Sequence, residues 1–125
     1  VKVKDAKVLV LGLTFKGNCP DTRNTKVIDI LNELHSYEIE TAVYDPVADK
    51  SEAKREYGIN LIGADELTGF DAVIVAVDHE EFKDITADEI KAMYSEDCNN
   101  RVISDVKGIY DKKEFEDAGF KYWRL

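Results

Sequence analysis

The chain alternates short runs of β-branched and aliphatic residues with stretches whose apolar positions recur every three or four residues. Lys7-Val8-Leu9-Val10-Leu11 is apolar after its first residue and stops at Gly12, as expected of a strand buried on both faces. Val27, Ile28, Leu31 and Leu34 then share one face of a helix predicted from about Thr25 to Ser36. Glu40 to Tyr44 reads as a strand ended by Asp45-Pro46, and Ser51 to Tyr57 as a helix stopped by Gly58. Asn60 to Ile62 reads as a short third strand. Ala72-Val73-Ile74-Val75-Ala76 is a second central run, introduced by a turn at Gly69-Phe70-Asp71. Glu89 to Tyr94 follows as a helix, Arg101 to Ser104 as a strand, Lys112 to Ala118 as a helix and Lys121 to Trp123 as an edge strand.

Strands and helices that alternate over the whole length imply right-handed βαβ units. The predicted fold is therefore α/β and Rossmann-like: a doubly wound, mainly parallel sheet of about six strands with helices on both faces. Residues 1–125 form one domain in this reading, with Val1 to Asp5 as the remnant of a linker. Ligands of such sheets sit beyond the carboxyl ends of the strands. The segments to inspect are 12–24, 44–50, 77–83 and 105–110.

With 125 residues, 44% hydrophobic and 34% charged, the composition is that of a soluble globular domain able to bury a core without staples. A formal charge of -9 speaks against nucleic acid or an anionic membrane as partner, since both need a basic face. No apolar run approaches the roughly 20 residues of a membrane span, and the N-terminus has no signal-peptide pattern. Cys19 and Cys98 belong to no metal-binding cluster, so no metal site is expected and reduced thiols in the cytoplasm are the default.

The segment from Gly12 to Thr25 sits where a dinucleotide fold carries its glycine fingerprint. Gly12 and Gly17 occupy the first and third positions, but the second is Thr14, whose side chain obstructs approach to a pyrophosphate. The loop is also too long, so an independent NAD site fails. A Walker loop fails too, for want of its Gly-Lys-Ser/Thr ending. What remains is Lys16 and Arg23 beside a helix start with capping candidates Asp21, Thr22, Asn24 and Thr25. These residues fit an anion site, or two solvated cations and a capped helix. Composition alone favours the second.

The run from Gly12 to Val27, Gly-Leu-Thr-Phe-Lys-x-Asn-Cys-Pro-Asp-x-Arg-Asn-Thr-Lys-Val, resembles the opening of the C-terminal domain of the UDP-glucose/GDP-mannose dehydrogenase family. Its Asn18-Cys19-Pro20 form is most similar to the branch acting on UDP-N-acetylhexosamines. The resemblance continues through Val43-Tyr44-Asp45-Pro46, Val75-Ala76-Val77-Asp78-His79 with Phe82, and Ser104-Asp105-Val106-Lys107-Gly108. It implies a substrate-binding domain that closes over a UDP-sugar, cut away from the half of a larger enzyme that carries the catalytic machinery. The missing N-terminal domain would bind most of the NAD, and a central helical segment would carry the dimer interface and the catalytic cysteine. The implied chemistry is a two-step oxidation of a C6 alcohol to a carboxylate through a cysteine thiohemiacetal. By the same resemblance Phe15, Lys16 and Lys107 bind the substrate, and Arg23 reaches the cofactor. Lys107 stands where many members have arginine, which keeps the charge but loses the bidentate fork. The whole enzyme would be a cytoplasmic homo-oligomer. The alternatives are the same domain of a GDP-mannose dehydrogenase, or a stand-alone nucleotide-binding regulatory module.

No catalytic residue is assigned to this chain. Cys19 near Lys16 suggests an activated thiolate, but it matches a loop position and not the family nucleophile. Cys98 reads as unreactive. Asp45 lies 33 residues after Gly12, against about 20 for a ribose-binding acid, so it reads as a structural Asp-Pro turn. His79 shows no partner that would make it a base and reads as a residue placing the helix opened by Glu80 and Glu81. His35 reads as a solvated helix end. A phospho-receiver fold would need acids just after the first strand, where Gly12-Leu13-Thr14-Phe15 stands instead.

Overall fold

The computed structural model describes residues 6–14 and 26–124. Five strands form one sheet: β1 (Lys7–Leu11), β2 (Glu40–Tyr44), β3 (Ala72–Val75), β4 (Val102–Asp105) and β5 (Lys121–Arg124). Their order is β2-β1-β3-β4-β5, and every neighbouring pair is parallel. The helices are α1 (Val27–Ser36), α2 (Lys50–Tyr57), α3 (Glu80–Lys83), α4 (Ala87–Lys91) and α5 (Lys112–Asp117).

Strand alternation divides the apolar residues between two cores. Leu9, Leu11, Val73, Val75 and Ile103 face one side, where Phe82, Ile90, Phe115 and Tyr122 pack on them. Val8, Val10 and Val43 face the other, with Val27 and Leu31 of α1 and Ala53 of α2. The double-sided burial expected of β1 is thus observed. The helical faces expected around Val27 and Leu31 are also in place, with Ile28 and Leu34 packed at the rim.

The expectation of about six strands is corrected to five among the described residues. Asn60 to Ile62 is not a strand. Gly58 ends α2 in the left-handed region, and the Ile59 amide turns back to the Ala53 carbonyl. Only the Ile62 amide reaches the sheet, at 2.9 Å from the Val43 carbonyl. One such bond makes no ladder, and β2 is left as an edge.

Gly12 is where β1 meets the exit of β3. Its φ is +107, and a Cβ built there would lie 2.6 Å from the Val77 side chain. Gly12→Ala therefore combines backbone strain with a clash, and should cost roughly 2–4 kcal/mol of unfolding free energy. Urea titration should show a lower midpoint at unchanged slope. A loss under about 0.5 kcal/mol, the size of an ordinary surface change, would contradict this packing.

A candidate anion-binding edge closed by two buried aspartates

The register places Tyr44, Leu11, Val75, Asp105 and Arg124 in one row across the sheet. Each is the last residue of its strand, so all five exits open on the same edge. The chain leaves β1 for β2 on one side and later inserts β3 on the other. The crevice between β1 and β3 is thus the topological switch point.

Asp45, just past β2, fills the base of that crevice and is 2% exposed. Its Oδ2 accepts the amides of Leu13 at 2.7 Å and Thr14 at 3.3 Å. Its Oδ1 accepts the amides of Val47 at 2.8 Å and Ala48 at 2.9 Å. The His79 ring, wholly buried beyond β3, brings Nε2 to 2.9 Å from Oδ2. A carboxylate accepts and cannot donate, so Nε2 carries the ring proton. The Thr14 hydroxyl stands 3.2 Å from the same nitrogen. One carboxylate therefore ties together the exits of three strands.

Burial alone would raise the Asp45 pKa, but the imidazole and the amides of Leu13, Val47 and Ala48 outweigh it and hold the carboxyl below its usual range. The structural reading of Asp45 is borne out. The sequence shows no base partner for His79, and the structure supplies a carboxylate, Asp45. His79 does stand at the N-cap of α3, as expected, but its ring turns inward to Asp45 and makes no cap bond. With no exposed surface it cannot reach a substrate as a base.

A second buried carboxylate, Asp105, organises the other half of the edge. It accepts the amides of Ile109 at 3.1 Å and Tyr110 at 2.9 Å, and the Tyr122 hydroxyl at 2.5 Å. This fixes the turn through Val106, Lys107 and Gly108, with Lys107 exposed just beyond β4. Burial, and then the bond to Asp105, raise the Tyr122 pKa, so its hydroxyl stays protonated as donor.

Of the expected site residues the structure thus positions Lys107 on the ligand edge. Phe15, Lys16 and Arg23 lie outside the described residues, as do Cys19 and the capping candidates of the 12–25 segment. Cys98 is 4% exposed, in keeping with an unreactive thiol. His35 is exposed in the last turn of α1, where Nε2 bonds Thr41 Oγ1 at 2.8 Å. Sequence reasoning missed the pairing of Asp45 with His79 and the role of Asp105. The available signal was an aspartate at the carboxyl end of two separate strands.

Because the folded Asp45 carboxyl ionises more readily than the unfolded one, its stabilisation is whole above the unfolded value of about 3.9. It is lost as pH falls through the lower folded value. Asp45→Asn should lose at least about 2 kcal/mol near pH 7, since an amide cannot satisfy the same donors. It should also flatten the acid limb of the stability curve, measured as urea midpoint against pH. Parallel acid limbs for the two proteins would contradict the assignment.

Residues 9–112 match the profile of the UDP-glucose/GDP-mannose dehydrogenase family, UDP binding domain. The chain is 43% identical over 125 residues to protein CapL of Staphylococcus aureus, covering 100% of this chain and 28% of that protein. It is 42% identical over 112 residues to the UDP-N-acetyl-D-glucosamine 6-dehydrogenase of Pseudomonas aeruginosa, covering 90% of this chain and 26% of that one. Among solved structures it superposes on the NDP-N-acetyl-D-galactosaminuronic acid dehydrogenase from Methanosarcina mazei Go1 with a TM-score of 0.86. That pair is 25% identical, and the overlap covers 99% of this chain and 25% of the other. The chain spans about a quarter of the length of these relatives. Sequence over most of its length and the parallel sheet agree: the chain belongs to the UDP-glucose/GDP-mannose dehydrogenase family, as its UDP binding domain.

Proposed function

We propose that this chain is the nucleotide-sugar-binding part of an NAD-dependent dehydrogenase that oxidises the C6 alcohol of a UDP-sugar to a carboxylate. The substrate class is a UDP-N-acetylhexosamine, the class named for the Pseudomonas aeruginosa relative. The observation carrying this reading is the family match across residues 9–112. Phe15 and Lys16 on the segment after β1, and Lys107 on the turn after β4, are the substrate contacts. Arg23 serves the cofactor across a domain interface. The rest of the polypeptide supplies most of the NAD site and the catalytic cysteine, and the whole enzyme is a homo-oligomer of the cytoplasm. No helix of the described residues is long and apolar enough to cross a membrane.

Among the described residues, those at the switch point do not fit NAD itself. In a dinucleotide fold the amides after β1 face a pyrophosphate. Here the Leu13 and Thr14 amides are bonded to Asp45, and the buried carboxylate would repel a pyrophosphate in that place. Gly12 is used for close packing against Val77. Nucleotide recognition at this edge falls to side-chain cations, which act as focused charges in a chain of net charge -9.

The 125-residue chain should bind UDP weakly, with a Kd on the order of millimolar, and NAD more weakly still. Chemical-shift mapping should centre on residues 14–18 and 105–108 with UDP, and no NADH should form with any UDP-sugar. Tighter binding of NAD than of UDP would overturn the reading. In the whole dehydrogenase, Arg23→Ala should raise the KM for NAD far more than that for the UDP-sugar; equal changes would assign Arg23 to the other ligand.

A further inference from the structure

Arg124, the last residue of β5, is held in an unusual way for an exposed arginine. Its Nε donates to the Tyr122 hydroxyl at 3.1 Å, and its Nη2 donates to that hydroxyl at 3.0 Å and to the Tyr110 carbonyl at 2.6 Å. The guanidinium carbon stands 5.4 Å from the Tyr122 ring centroid. Tyr122 is itself anchored on buried Asp105, so the planar group is fixed by a chain of bonds that begins in the core. Nη1 makes no bond among the described residues and keeps two N–H donors for a ligand.

The side chain leans toward the Lys107 turn. A Cβ built on Gly108 would lie 3.2 Å from Arg124 Nε and 3.3 Å from its Cδ. Gly108, at φ +65, is thus the floor over which the arginine passes. Asp105 and Arg124 are register partners, so the two exits are neighbours in the sheet. Tyr110, which receives Nη2, belongs to the same loop as Lys107.

We propose that Arg124 and Lys107 form one anion subsite beyond β4 and β5, which takes the diphosphate of the nucleotide sugar. This rests on the nucleotide-sugar reading above. Lys107 supplies a mobile point charge, and Arg124 supplies the fixed, planar donor edge that a lysine lacks. The arginine reaches the ligand from the adjacent strand end and not from the turn itself.

The test is calorimetric or chemical-shift titration of the 125-residue chain with UDP, uridine and inorganic pyrophosphate. The variants are Lys107→Gln, Arg124→Gln, Arg124→Lys and the Lys107→Gln/Arg124→Gln double. Arg124→Gln should weaken UDP and pyrophosphate about fivefold, the size of one exposed charge-assisted contact, and leave uridine unchanged. Arg124→Lys, which keeps the charge without the fork, should fall between. Because both cations meet one anion, the double variant should lose less than the product of the two single losses. A purely structural Arg124 would lower the thermal midpoint and move uridine and UDP alike. Unchanged UDP affinity in Arg124→Gln, with Lys107→Gln still weakened, would overturn the subsite and leave the nucleotide-sugar reading standing. No binding of UDP by the parent chain at tens of millimolar would overturn both.

Discussion

The Asp45 carboxylate is the point at which this sheet is closed on its ligand side. Parallel strands end in loops whose first amides have no partner within the ladder, and those amides must find acceptors or water. Here Leu13 and Thr14 after β1, and Val47 and Ala48 after β2, converge on one buried side chain. His79 approaches from beyond β3 and completes it. A buried carboxylate is costly unless its lone pairs are satisfied, and this one is satisfied by donors from three strand exits. Position and ionisation are therefore linked: the loops hold the charge, and the charge holds the loops.

Asp105 repeats the arrangement three strands along, at the end of β4, with amides of Ile109 and Tyr110 and the Tyr122 hydroxyl as donors. Asp45 thus occupies the two amides after β1 that a dinucleotide fold would present to a pyrophosphate, and Asp105 occupies those of its own turn after β4. The edge keeps the topology of a nucleotide fold, but among the described residues these six amides are turned inward to carboxylates. The proposed reading assigns anion recognition to side-chain cations such as Lys107, since a focused charge can outweigh the diffuse field of a chain of net charge -9.

Much of the fold was legible from periodicity. β1 and β3 were visible because continuous apolar runs signal burial on both faces, and α1 because Val27, Ile28, Leu31 and Leu34 repeat at helical spacing. Asn60 to Ile62 misled because three residues can share the composition of a strand without its hydrogen bonds, and here the chain makes one. The site was less legible. Thr14 reads from the sequence as an obstacle to a dinucleotide pyrophosphate, while the structure shows its amide taken by the carboxylate behind it. Asp45 and His79 are 34 residues apart, and nothing local announces that parallel pairing sets them side by side. Arg124 falls one residue past the edge strand expected at Lys121 to Trp123 and drew no reading, since its partners Tyr110 and Tyr122 become a cradle only after β5 joins the sheet.

The most direct test of this account is residue-resolved NMR on the Leu13 and Thr14 amides and the Asp45 carboxyl carbon. Both amides should exchange with solvent as slowly as those of β1, and the carboxyl carbon should titrate below the usual aspartate range. Neither amide should shift as NAD is added to the solubility limit. Fast-exchanging amides that track NAD saturation, beside an Asp45 titrating near about 4, would contradict the claim that this carboxylate closes the switch point.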